Sequence, residues 1–185
     1  MNHQGLKRSQ DNLKMSSPVS ENAVKRWIEI LGLLPHPEGG WYKEVYRSQG
    51  NIPANALSEF RDIRSFSTSI YFLLEGNDFS AFHRIRSDEI WHFYDGSMAL
   101  ISAISPEGNL REHLLGKDFR KGESLQVVIP AGWWFASKVV DPESYVLAGC
   151  TVSPGFDFND FELGRRAELV ARYPQHKDLI NQLSK

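Results

Sequence analysis

The sequence predicts an all-β domain: an antiparallel jelly-roll barrel with short helices at its ends. Three observations carry this. From Gly40 to about Val152 apolar and polar residues alternate with period two, the mark of half-buried strands. Turn-rich segments such as EGND, YDGS, SPEGN, RKGE and VDPE punctuate that alternation every few residues. No helical pattern falls between the strands, which leaves a sandwich or barrel rather than an α/β fold.

The elements follow in order. Residues 1–19 are polar and aperiodic, and read as a disordered tail preceding a single domain over 20–185. Ser20 suits an N-cap and Glu21 the positive first turn. Ala23, Val24, Trp27, Ile28 and Leu31 then recur at helical spacing up to Gly32. In GGWYKEVYRS strict alternation places Tyr42, Glu44 and Tyr46 on one face, and Trp41, Lys43 and Val45 on the other. Further strands are expected over 66–74, 79–85, 89–94, 98–104, 110–115, 125–129, 135–140 and 144–152. Helical spacing resumes near Asp160 with Phe161, Leu163, Ala167 and Leu169, and again over 178–183.

The chain has 185 residues and a formal net charge of −2, so it offers no basic footprint for nucleic acid. One cysteine, Cys150, precludes an intrachain disulfide and implies no oxidising compartment. The longest apolar run, VVIPAGWWFA, is too short and too broken for a membrane helix, which needs about 20 residues. A cytoplasmic location is expected.

Five ordered segments carry a resemblance: LGLLPHPEGGWYKEVYRS, TSIYFLL, FHRIRSDEIWHFYDG, LQVVIPAGWWFA and GCTVSPGFDFNDFEL. Over residues 24–172 the chain resembles the cupin superfamily, and within it an uncharacterised family of small HPEGG-type cupins. The resemblance implies a double-stranded β-helix, a homodimer and a conical pocket for a small polar metabolite. In the first cupin motif His83 fills the first histidine position, Glu89 the glutamate and Gly96 the closing glycine. Ile85 stands where the second histidine belongs. In the second motif Pro130 and Gly132 fit, but Phe135 replaces the last histidine. Two of four usual ligands remain, so no metal cofactor is favoured. A divalent transition metal, if bound, would take His83, Glu89 and His92. Strand alternation sets Glu89 and His92 on opposite faces unless a bulge intervenes.

Without metal, His83 and Glu89 form an expected acid/base dyad, with His92 or a tyrosine (Tyr42, Tyr46, Tyr71 or Tyr94) as a further proton donor. Tyr42, Glu44, Tyr46 and Arg47 would bind ligand if their face looks inward; otherwise they form a dimer edge. His36 and Glu38 sit in a proline- and glycine-flanked turn where loop chemistry is common. Arg64, Arg84 and Arg86 would hold an anion or lie in solvent. Trp133 is expected to wall the pocket, with Trp134 facing away and Trp91 in the core. The readings that follow are a proton-transfer isomerase or epimerase, a non-catalytic binding or storage barrel, and a metal-dependent dioxygenase.

Overall fold

The computed structural model describes residues 18–185; the tail expected over 1–19 lies, up to residue 17, outside them. Helix α1 spans Pro18–Leu31. It starts two residues before Ser20, consistent with proline's fit to a first helical turn, where its missing N–H costs nothing. The strands are β1 (Leu34–Pro35), β2 (Trp41–Arg47), β3 (Asn51–Ile52), β4 (Arg64–Ser65), β5 (Thr68–Glu75), β6 (Phe79–Arg84) and β7 (Asp88–Gly96). They continue as β8 (Ala99–Ile104), β9 (Leu110–Leu115), β10 (Gln126–Ile129), β11 (Trp134–Val139), β12 (Tyr145–Ser153) and β13 (Glu162–Leu163). Helices α2 (Arg166–Arg172) and α3 (Lys177–Gln182) end the chain. Among the described residues no helix is long and apolar enough to cross a membrane.

Two sheets face each other, in the orders β1-β2-β5-β12-β7-β10 and β13-β6-β11-β8-β9, and all their pairings are antiparallel. This is the jelly roll the alternation predicts. Inward residues of both sheets build the main core, including Phe72, Trp91, Ile101, Leu115, Ile129, Phe135 and Val146. On the outer face of the five-stranded sheet, Leu169, Tyr173, Ile180 and Leu183 of the C-terminal helical segment cover Phe82, Ile104 and Trp134. On the other sheet, Val24 of α1 packs with Leu33, Leu73 and Leu147.

Two departures from simple alternation matter for the site. Strand β2 is bulged against β5 between Glu44 and Tyr46: Glu44 pairs with Ile70, Tyr46 with Ser69 and Arg47 with Thr68. The extra residue flips the strand's parity, so Arg47 rather than Tyr46 follows Tyr42 and Glu44 inward, and Tyr46 is exposed. The helix expected from about Asp160 does not begin there: a single turn at Phe158–Asp160 leads into β13, which pairs with β6. The helical spacing takes hold only at Arg166. Strand β2 pairs with β1 only at Trp41 and Tyr42; among the described residues no strand pairs with 43–47 on that edge, and Val45 and Tyr46 are exposed.

Candidate functional site

A cavity of about 300 Å³ opens at one end of the sandwich. Its chemistry begins in the HPEGG turn. His36 N–H donates to the Gly40 carbonyl at 2.9 Å, closing the loop, and Gly40 N–H donates to the Asp78 carboxylate at 3.0 Å. Gly39 and Gly40 have φ of +121° and +70°, and a Cβ on Gly39 would run into the Phe79 carbonyl oxygen. Only glycine lets this backbone pass so close to β6. The approach allows Ala81 N–H to donate to the Glu38 carbonyl at 2.9 Å, and it delivers the Glu38 side chain to His83.

His83, on β6, is 2% exposed, with the Phe135 ring centroid 4.0 Å from its own. Its Nδ1 lies 2.8 Å from the Ala81 carbonyl oxygen. A carbonyl only accepts, so this nitrogen carries the ring proton. The Nε2 then presents a lone pair, yet it sits 3.1 Å from Glu38 Oε2. Two acceptors do not face each other across that distance in a buried site without a proton between them. Glu38 supplies it. Burial, reinforced by the nearby Glu89 charge, raises the Glu38 carboxyl well above its ordinary range, against a lowering pull from the Ser80 hydroxyl. Burial also drives His83 down to about 3. The pair is thus a carboxylic acid donating to a neutral imidazole, with Ser80 Oγ donating to the other carboxyl oxygen at 2.8 Å.

His36 completes the group. Its Nδ1 is 3.3 Å from the same Glu38 oxygen, and burial lowers its pKa to about 4. That nitrogen accepts the Glu38 backbone N–H at 3.4 Å, so His36 packs a second neutral imidazole against the carboxyl. Tyr42 meets the His36 ring edge-on at 4.6 Å.

The expected dyad of His83 with Glu89 needs correction: both line the cavity, but His83 bonds to Glu38. Glu89 enters from β7 on the other sheet. Burial raises it to about 7, offset by the Cys150 thiol and the Trp91 indole N–H. The Trp91 nitrogen has no hydrogen-bond partner of regular geometry, so its influence is a nearby polar pull rather than a formed bond. Burial, followed by the Glu89 charge, pushes the Cys150 thiol well above its ordinary value.

His92 is not in the cavity. It faces the opposite side of β7, where its Nε2 is 3.1 Å from Thr151 Oγ1 and Gln126 donates to its Nδ1 at 3.0 Å. No bulge falls between Glu89 and His92, so alternation holds. Among the tyrosine candidates only Tyr42 lines the cavity; Tyr71 and Tyr94 form an edge-to-face pair at 6.0 Å elsewhere. Glu44 and Arg47 line it as an ion pair, Nη2 to Oε2 2.6 Å. Trp133 does not: it packs against the core beneath the Arg111 guanidinium, and Trp91 is the tryptophan in the wall. Arg64 is buried against Asp160, Arg84 pairs with Glu162 over the Trp134 ring, and Arg86 donates to the Glu59 carbonyl. None of the three lines the cavity.

The metal implied by the fold does not fit this donor set. Both His83 nitrogens are engaged, and the two remaining ligand positions carry apolar side chains: Ile85 in the cavity wall and Phe135 packed against the His83 ring. Among the described residues, no three His, Cys, Asp or Glu side chains are placed to hold a metal ion together.

Comparison with known proteins agrees with this architecture. An uncharacterised protein of Saccharomyces cerevisiae is 30% identical over 158 residues, covering 80% of this chain and 78% of the yeast protein. A Shewanella oneidensis protein of known crystal structure superimposes with a TM-score of 0.79 at 41% identity, covering 87% of this chain and 96% of that one. A hypothetical protein from Leishmania major gives 0.79 at 36% identity, covering 86% and 97%. Oxalate decarboxylase from Bacillus subtilis shares the fold alone, with a TM-score of 0.50 at 13% identity over 80% of this chain and 36% of that one. The profile described as Cupin superfamily (DUF985) matches residues 25–164, and the chain belongs to that family.

Proposed function

We propose that this cupin binds a small polar metabolite and isomerises or epimerises it by metal-independent proton transfer, acting as a homodimer joined along the open edge of β2. The observation that carries the reading is the buried 3.1 Å contact of the Glu38 carboxyl with His83 Nε2, in a cavity faced by a second carboxyl, Glu89, which burial pushes up to about 7. Two proton-active groups on facing sheets suit removal of a proton from one side of a carbon and its return from the other. Glu38 with His83 forms one station, and Glu89 the other. Tyr42 is the phenol placed to polarise an adjacent oxygen. The cavity volume lies at the small end of ligand pockets and matches a monosaccharide or a single ring rather than a sugar nucleotide.

The test is solvent isotope exchange. Protein purified without added metal, with its oligomeric state set by light scattering, is incubated in D2O with monosaccharides, amino sugars and single-ring amines. One class gains deuterium at a single carbon, and Glu38→Gln or His83→Ala slows the exchange about 10²–10⁴-fold. Thermal stabilisation by a compound with no exchange would identify a binding barrel instead. Exchange that requires stoichiometric bound metal would refute the metal-independent mechanism, and a monomer would remove the dimer.

A further inference from the structure

The geometry points to an organic cation as the cavity's ligand: a protonated amine on a small ring, held by Glu89 and an aromatic wall. This rests on the reading that the cavity is a ligand site, and it adds the charge of what enters. Besides the His36 and His83 imidazoles, six aromatic side chains line the space: Tyr42, Phe72, Trp91, Phe156, Phe158 and Phe161. Several pack edge to face: Phe72 with Trp91 at 5.3 Å, and Phe156 with Phe158 at 5.0 Å. Ring faces attract cations through their quadrupoles, and a desolvated ammonium gains most when a carboxylate completes the cage.

The charged groups agree. Arg47 is the cation in the wall, and four of its five N–H donors are already engaged, its charge neutralised by Glu44. Nε and Nη2 bind both oxygens of Glu44 at 3.0 and 2.6 Å, Nη2 also reaches the Phe156 carbonyl at 3.1 Å, and Nη1 lies 3.4 Å from Ser65 Oγ. Asp157 adds a second carboxylate to that mouth, so it is net negative. Lys185 binds the Pro37 carbonyl and does not line the cavity. An anion entering here would meet Glu44, Asp157 and Glu89, and among the described residues lining the cavity the one cation, Arg47, is already paired with Glu44. A cation would meet Glu89 with the Cys150 thiol and Trp91 indole N–H beside it, donors suited to its ionised form.

Binding is then coupled to protons. The titratable and charged groups around Glu89 are Cys150 from β12, Glu38 and His36 from the HPEGG turn, His83 from β6, Glu44 and Arg47 from β2, and Asp157 from the loop after β12; β10 brings only Ile129 against it. Bound cation favours ionised Glu89, whose free value is about 7, so affinity should rise about tenfold from pH 6 to pH 8, with proton release.

Three probes of one shape and different charge decide it by calorimetric titration: benzylamine, benzyl alcohol and benzoate. Benzylamine is expected to bind at pH 8 at least tenfold tighter than the alcohol, with no benzoate binding, and at pH 6, where free Glu89 is mostly protonated, to release close to one proton, read in buffers of differing ionisation heat. Glu89→Gln should abolish both the preference and the pH dependence. If that variant does not fold, the wild-type pH dependence and proton release decide alone. Benzoate binding as tightly as benzylamine, no benzylamine binding, or pH-independent benzylamine binding would overturn the inference. The isomerase reading stands or falls separately on deuterium exchange.

Discussion

Arg64→Ala is expected to lose about 3–5 kcal/mol of folding stability in urea titrations, because it strands a buried carboxylate. Arg64 Nε and Nη2 grip the two Asp160 oxygens at 2.6 and 2.8 Å, and both residues are buried. Asp160 ends the turn that carries Phe158 and precedes Phe161, two rings of the cavity wall. The pair therefore ties the site's aromatic roof to β4. Arg86, with Nε 3.6 Å from Asp160, is too exposed to replace the lost partner fully. Removing Asp160 as well should restore part of the loss, because the double variant no longer buries an unpaired charge. A double variant as unstable as the sum of the two singles would show that the pair is energetically uncoupled.

The second large effect is on the pH dependence of stability, where four buried groups exchange roles. Relative to ordinary values of 6.5 and 4.5, His83 and His36 are lowered to about 3 and about 4, while Glu38 and Glu89 are raised. Between pH 4.5 and 6.5 the unfolded chain carries these protons on the histidines and the folded site carries them on the carboxyls. The proton counts match, so the four groups together give no slope. Above pH 6.5 the unfolded histidines release their protons while folded Glu38 and Glu89 retain theirs, and stability falls as pH rises. Below pH 4.5 the unfolded carboxylates take up protons that the folded histidines still refuse, and stability falls again.

Glu89→Gln isolates one of these contributions. The stabilisation due to protonated Glu89 is fully present below pH 4.5 and lost as pH rises through about 7. At about 1.4 kcal/mol per pH unit, the variant should gain about 3 kcal/mol relative to wild type between pH 4 and pH 8. Parallel profiles for the two proteins would mean that Glu89 titrates alike in the folded and unfolded states.

Much of this fold was legible in the sequence because alternation and turn chemistry are local. The strands from β5 to β12 lie within a few residues of their expected bounds. The two-residue strands β1, β3, β4 and β13 left no periodic signal, being shorter than one alternation. Alternation places Tyr46 on the inward face of β2, and the structure does not, because a bulge is a two-strand property, visible only once β5 is paired. His83 and Glu89 were recognisable from motif spacing, but the partner of His83 was not. Glu38 comes from a distant segment, and only contact across the sandwich reveals that they meet. The signal was nonetheless present in the double glycine after Glu38, which announces a close backbone approach. Trp133 failed for a different reason: it follows a turn at Gly132 rather than standing in a strand, so strand parity does not apply to it.

The central claim is that Glu38 donates its proton to a neutral His83, and nitrogen-15 NMR of the imidazole reads it directly. The ring should remain neutral from pH 5 to pH 8, with the proton on Nδ1 and the Nε2 shift of a hydrogen-bond acceptor. Glu38→Gln should leave the ring neutral, with an amide donor replacing the acid. An imidazolium signal at neutral pH, or a proton on Nε2 facing an ionised Glu38, would contradict the account.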